Sequence, residues 1–267
     1  AANPLSVGSR GLGVVYTRQI IRVDGNYDDS VRHADKDAHK NGWYVVSDTS
    51  YEGYREIPSL VMQGYTTIAT EIAEQIADIQ PTHLFLPGGV GGIAAAVSSE
   101  FCRIWKNLRP TTIIVEPKTA DCLYQSSLSG QPTISSGNLH TVMACLSAGE
   151  VSILAWEILE NTADFFLRLS DTTIGPTMKR LSSENIISGE SGAATLAAFT
   201  AICSDEKAKE LVKKINDWVD NSIYGKFTKG WEDARLGIGG DGAEDIYSNV
   251  FKIEGGTDDA LGGIYKK

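Results

Sequence analysis

Long apolar runs are missing from this 267-residue chain. None approaches the roughly 18 to 20 residues that a bilayer-spanning helix needs, and residues 1–20 lack the charged and apolar order of a secretory leader. A cytoplasmic location with no membrane partner is expected. Basic charge is also scarce: 24 Lys and Arg stand against 34 Asp and Glu, a formal charge of −10. The cations are scattered, whereas a phosphate-backbone binder needs a clustered basic face to displace counterions. Nucleic acid is therefore not an expected partner. Cysteine and histidine are few and badly spaced for metal. Cys102, Cys122, Cys145 and Cys203 form no Cys-x-x-Cys pair, and His33, His39, His83 and His140 form no i, i+4 pair. Neither a zinc site nor a disulfide framework is indicated, and no metal is expected. An initiator Met is absent before Ala1-Ala2, which reads as a processed or partial product.

What is present is 42% hydrophobic residues, enough for a sizeable core, arranged as strands alternating with helices. That alternation is the pattern of an α/β fold, a mostly parallel sheet flanked by helices. Val14 to Val23 reads as a strand. Asn26 then caps a helix whose first turn carries Asp28 and Asp29, and Asn41-Gly42 stops it. Trp43 to Ser47 reads as a second strand. Pro58 opens a helix through Ile79, with Leu60, Ile68, Ile72 and Ile76 recurring near helical spacing. Next come a strand at His83 to Leu86, an Ala-rich helix through about Trp105 and a buried strand at Thr112 to Val115. Val151 to Asn161 (helix), Phe165 to Leu169 (strand) and Thr172 to Leu181 (helix) follow. Helices at Ala193 to Cys203 and Asp205 to Asn221, a strand at Ala234 to Ile238 and a helix at Ala243 to Phe251 complete the series. The Gly-rich tail from Lys252 is expected to be loose.

Three places could carry chemistry. Pro87-Gly88-Gly89-Val90-Gly91-Gly92 lies between a buried strand and a helix, where open backbone N–H groups and the helix dipole can hold a phosphate. It is neither a Walker A loop nor Gly-x-Gly-x-x-Gly. The plainer alternative is a tight turn whose glycines let helix and sheet approach. Asp48 ends a strand on the side where α/β folds assemble their sites, as an acid or base or simply as a turn cap. Glu190, in Ser188-Gly189-Glu190-Ser191-Gly192, is an acid at the tip of another turn, or a solvated residue beside a helix cap.

The run Asp48-Thr49-Ser50-Tyr51-Glu52-Gly53-Tyr54, followed by Ile57-Pro58 and Met62-Gln63-Gly64-Tyr65, resembles the diaminopropionate ammonia-lyases. So do Ile113-Ile114-Val115-Glu116-Pro117, Ala120-Asp121-Cys122-Leu123-Tyr124, Ala148-Gly149-Glu150 and Ile186 to Ala193, all in the same order. The resemblance implies pyridoxal phosphate as cofactor and the fold type II architecture of tryptophan synthase β. By it, Gly89, Val90, Gly91 and Gly92 would cradle the cofactor phosphate. Asp48 would be an acid/base residue at the substrate's Cα or its leaving amine, and Glu190 would line the same pocket. The implied reaction is α,β-elimination of a small amino acid, diaminopropionate, to pyruvate and ammonia, in a family-like homodimer.

The departures matter as much. The family's Schiff-base lysine lies in an Asn-x-x-Lys word upstream of everything matched here, and its other catalytic aspartate in an Asp-Gly-Asn-His-Gly word, which is absent. No lysine precedes Lys36, and Lys36 and Lys40 fall on a polar helix. Covalent attachment of the cofactor is therefore not expected in this chain, which alone is expected to be inactive. Near the C-terminus, Gly239 or Gly240 stands where relatives place a hydroxyl-rich word. By the match, residues 1–56 are a remnant of a small domain and residues 57–267 the large, cofactor-phosphate-binding domain. The rival reading is a noncatalytic remnant that keeps an anion-binding loop or an assembly surface.

Overall fold

Alternating apolar side chains along the central strands decide the layers. The computed structural model describes residues 20–77, 79–211 and 261–266. In it β1 (His83–Pro87), β2 (Thr111–Pro117) and β3 (Phe165–Leu169) pair in parallel, and β4 (Leu261–Lys266) runs antiparallel to β3, in the order β1-β2-β3-β4. Ile113, Val115, Phe165, Leu167 and Leu169 face one way, onto α6 (Ile174–Ser183) and α7 (Glu190–Ser204). Ile114 and Phe166 face the other, onto α2 (Glu56–Ile76), α3 (Gly92–Trp105), α4 (Cys122–Ser129) and α5 (Ile153–Thr162). Each large side chain so buried contributes about 1.5–3 kcal/mol. Covered on both faces, the strands read as continuous apolar runs, as a buried parallel sheet requires.

Small residues set the spacing of the layers. Ala94, Ala95 and Ala96 on α3, and Ala193, Ala194, Ala197, Ala198 and Ala201 on α7, are all buried, so both helices lie close on the sheet. Helix α1 (Tyr27–Asn41) is built from its ends inward. Asn26 and Asp29 form a reciprocal capping box, and Gly42, at φ 67°, closes the C-terminus in the left-handed region. Its buried Asp28 accepts from the N–H groups of Gly149 (3.0 Å) and Glu150 (3.3 Å), fastening α1 to the loop before α5. Arg55, just ahead of α2, adds a fork to Glu157 of α5.

Several expectations change. Trp43 to Ser47 is not a ladder strand: the Tyr54 hydroxyl donates to the Val45 carbonyl (2.9 Å) and accepts from the Ser47 N–H (3.1 Å), filling groups that a neighbouring strand would take. Residues 20–23 are in no strand, and the rest of Val14 to Val23 lies outside the described residues. Helix α2 starts two residues before Pro58 and buries Pro58, Met62 and Ala69, while Leu60, Ile68 and Ile72 stand exposed. The tail from Lys252 contains a strand after all, because β4 completes the hydrogen bonding of β3. Helix α8 (Glu206–Leu211) begins the helix expected over Asp205 to Asn221. The remainder of that helix, Ala234 to Ile238, Ala243 to Phe251 and the Gly239–Gly240 word lie outside the described residues. Among the described residues no helix is long and apolar enough to cross a membrane, and no group of His, Cys, Asp and Glu could hold a metal ion.

At the N-terminal edge of the sheet Asp164 receives a fork from Arg109, at 2.6 and 2.9 Å, and the Thr112 N–H at 2.8 Å. Asp164→Ala strips three donors of one acceptor. It is expected to cost about 2–3 kcal/mol, read as a lower urea midpoint. A change under about 0.5 kcal/mol would show that this junction does not hold β2 to β3.

Candidate functional site

Parallel pairing puts the C-terminal ends of β1, β2 and β3 on one edge of the sheet, where α/β folds bind ligands. The first connection there is the glycine loop. Its Gly88 N–H donates to the Val115 carbonyl (2.8 Å), and its Gly91 N–H to the Gly88 carbonyl (3.2 Å). Gly89 (φ 62°) and Gly91 (φ 99°) hold left-handed conformations that favour glycine. Close packing adds a second requirement. A Cβ on Gly88 would stand 2.5 Å from Glu116 Cγ, and one on Gly91 3.1 Å from Ala155 and 3.2 Å from Leu159. Helix α3 then starts with no side-chain cap. No described residue accepts from the N–H groups of Gly92, Ile93 or Ala94. Open donors at the positive end of a helix fit an anionic phosphate, so the loop suits the phosphate of pyridoxal phosphate.

The structure brings Asp48 to this loop. Its Oδ2 lies 3.3 Å from the position of a Cβ on Gly92 and accepts a 3.2 Å hydrogen bond from the Tyr65 hydroxyl of α2. What places Asp48 there is its own chain. Tyr54 pins residues 45–47 on one side. On the other, the Ser50 and Ser152 hydroxyls meet at 2.8 Å, Ser152 Oγ accepts the Ser50 N–H (3.0 Å), and Ser50 Oγ accepts the Leu154 N–H (2.7 Å). The Ser152 N–H reaches the Val90 carbonyl at 3.0 Å. The acid loop and the glycine loop are thus joined through the N-terminus of α5.

Beneath the glycines lies Glu116, fully buried at the end of β2. Its carboxyl accepts from the N–H groups of Leu123 (3.0 Å) and Tyr124 (2.7 Å), capping α4 from the preceding strand. Burial nevertheless dominates and pushes its pKa up to about 8. Glu190 opens α7 and is exposed. It approaches the loop through its neighbour: Ser191 Oγ accepts the Cys145 N–H (3.0 Å), and the Cys145 carbonyl lies 3.4 Å from the Cβ position of Gly89. Asp48 and Gly89 to Gly92 are therefore adjacent, and Glu190 stands one contact further out. Tyr65, Ser152 and Glu116 enter the site with no role from sequence reasoning, although all but Ser152 fall within the matching words.

A cavity of about 330 Å³ opens beside Thr49 and Ser50, but its charged lining is Asp28, Asp35 and Glu150 against Arg32 alone. That balance repels phosphate. The open N–H groups lie instead at the glycine loop and the start of α3.

Comparison with known proteins identifies the family. The family model described as pyridoxal-phosphate dependent enzyme matches residues 9–215. The chain is 39% identical over 204 residues to diaminopropionate ammonia-lyase of Escherichia coli (strain K12), covering 74% of this chain and 51% of that protein. It is 34% identical over 239 residues to diaminopropionate ammonia-lyase of Salmonella typhimurium, covering 85% and 57%. Among solved structures, the Escherichia coli lyase in complex with an aminoacrylate–PLP azomethine reaction intermediate superposes with a TM-score of 0.65 at 38% identity, covering 73% of this chain and 51% of that one. The chain spans about half the length of the curated relatives it matches.

Glu116 predicts a pH dependence. With its folded pKa raised from the ordinary 4.5 to about 8, the folded chain keeps a proton that the unfolded chain has released. Stability present below about pH 4.5 is thus lost as pH rises through about 8. Glu116→Gln removes this titration. The urea midpoint of the parent is expected to fall relative to that of the variant between pH 5 and pH 8, and a constant offset would sink the assignment.

Proposed function

This chain belongs to the pyridoxal-phosphate dependent enzyme family, and from that premise we propose that it holds the phosphate-binding side of an ammonia-lyase site. The observation that carries the reading is the Asp48 carboxylate packed against Gly92, where α3 opens toward the glycine loop. The backbone of Gly89, Val90, Gly91 and Gly92 cradles the cofactor phosphate, with the open N–H groups at the start of α3 as its donors. Asp48 holds and moves a proton at the substrate's Cα or at its leaving β-amine. Glu190 lines the approach. Pyridoxal phosphate, when bound, supplies an electron sink for negative charge developing at Cα.

The proposed substrate is a small amino acid of the diaminopropionate type, released as pyruvate and ammonia by α,β-elimination. In the same reading residues 1–56 belong to a small domain, residues 57–267 form the cofactor-phosphate-binding domain, and the assembly is a homodimer. Lys36 and Lys40 are exposed on α1, so neither is assigned as a Schiff-base lysine, and the hold on the cofactor in this reading is noncovalent. Turnover by residues 1–267 alone is then not expected, since losing one member of a catalytic set commonly costs ~10⁴-fold. Release of pyruvate from diaminopropionate by the purified chain, at a rate dependent on Asp48, would overturn that statement.

Binding is tested with pyridoxal phosphate against pyridoxal. Gly91 faces Ala155, Leu159 and Leu123, so substitution there tests the fold; Val90, only half-buried, is the better probe of the ligand. Val90→Asp places a like charge in the loop and is expected to weaken pyridoxal phosphate at least about tenfold in calorimetric titration, with an unchanged melting temperature. Equal affinity for pyridoxal phosphate and pyridoxal, or an unaffected Val90→Asp chain, would remove the phosphate assignment.

A further inference from the structure

Asp48 stands among phenols from three segments: Tyr27 of α1, Tyr54 of the following loop and Tyr65 of α2. Their hydroxyls are committed differently. Tyr54 bridges Val45 and Ser47, and Tyr27 lies near Asp48 without a hydrogen bond to it. Tyr65 gives its hydrogen to Asp48 Oδ2, and among the described residues no other donor reaches that carboxylate. We propose that Tyr65 is a positioning residue that holds Oδ2 of Asp48 against α3 and leaves Oδ1 as the oxygen that takes and returns the substrate's proton. The inference rests on the acid/base reading of Asp48 given above.

Two contacts fix one oxygen. Oδ2 is held between the Tyr65 hydroxyl at 3.2 Å and Gly92, whose missing Cβ leaves the 3.3 Å it occupies. With Oδ2 committed, rotation of the carboxylate would break a hydrogen bond to a charged group, so Oδ1 keeps one direction. The groups facing Asp48 are Tyr27, Tyr54, Tyr65 and the N-terminus of α3. All three phenols are pushed upward, first by burial, with the Asp48 charge adding to it, so they remain donors through neutral pH.

The test reads the Asp48 carboxyl directly, by its ¹³C resonance at pH 7 in the full chain labelled at aspartate, with the signal assigned through Asp48→Asn. In Tyr65→Phe the ring and its packing remain and the donor is lost. The Asp48 carboxyl resonance is expected to move from its parent position as Oδ2 loses its hydrogen bond, with circular dichroism and melting unchanged. Tyr27→Phe, which removes no hydrogen bond to Asp48, is expected to move it less. An unmoved resonance in Tyr65→Phe, or an equal shift in Tyr27→Phe, would overturn the assignment. The measurement needs neither cofactor nor turnover. Failure of the lyase reading would therefore appear as lost phosphate selectivity with the Asp48 shift intact, and failure of the Tyr65 role as the converse.

Discussion

The buried pair of hydroxyls on Ser50 and Ser152 is the constraint on which the site rests. These residues are 102 positions apart, yet every polar bond around them serves one end: keeping the chain that carries Asp48 beside the chain that carries Val90. Ser50 also accepts from Ile153 and Leu154, and Ser152 also donates to Val90. A buried hydroxyl hydrogen without an acceptor costs about 1–3 kcal/mol, and the pair supplies that acceptor from one serine to the other. Asp48 consequently inherits its position from the sheet, through β1, the glycine loop and α5.

The proposed phosphate site lies in a chain whose net charge has the same sign as the ligand. A chain of formal charge −10 would be a poor anion binder if long-range potential decided the matter. Over distances beyond about 8 Å, salt screens that potential, and what remains is local: uncapped N–H groups of α3 held in place by glycines. The carboxylates around the loop are held in different ways. Glu116 is largely neutral below its raised pKa and bonded to α4, while Asp48 has one oxygen tied to Tyr65.

Legibility in the sequence followed the range of the interactions. Helix α1 was readable because Asn26, Asp29 and Gly42 act within a few residues, and β2 and β3 because two buried faces leave an unbroken apolar run. The glycine loop and Asp48 stood out by position at strand ends. Ser152 and the hydrogen bond of Tyr65 did not, since nothing beside them in the chain announces a partner 102 or 17 residues away. Trp43 to Ser47 has strand composition, but its hydrogen bonds go to a phenol. On α2 the spacing of Leu60, Ile68 and Ile72 is truly helical, yet periodicity finds a stripe without saying whether it is the covered one. Glycine content hid β4, whose pairing with β3 is a matter of backbone.

That last pairing also governs the order in which the protein can be completed during synthesis. Residues of β3 are made almost a hundred positions before their partners in β4, with Phe165 opposite Lys266 and Leu167 opposite Ile264. At ~5–20 residues per second, a ribosome leaves β3 as an open edge for several seconds after β1, β2 and β3 can already have joined. An apolar edge strand is a template for any other chain that offers its backbone. Of the four described strands, β4 therefore acts last, and it covers β3 by taking the edge position itself.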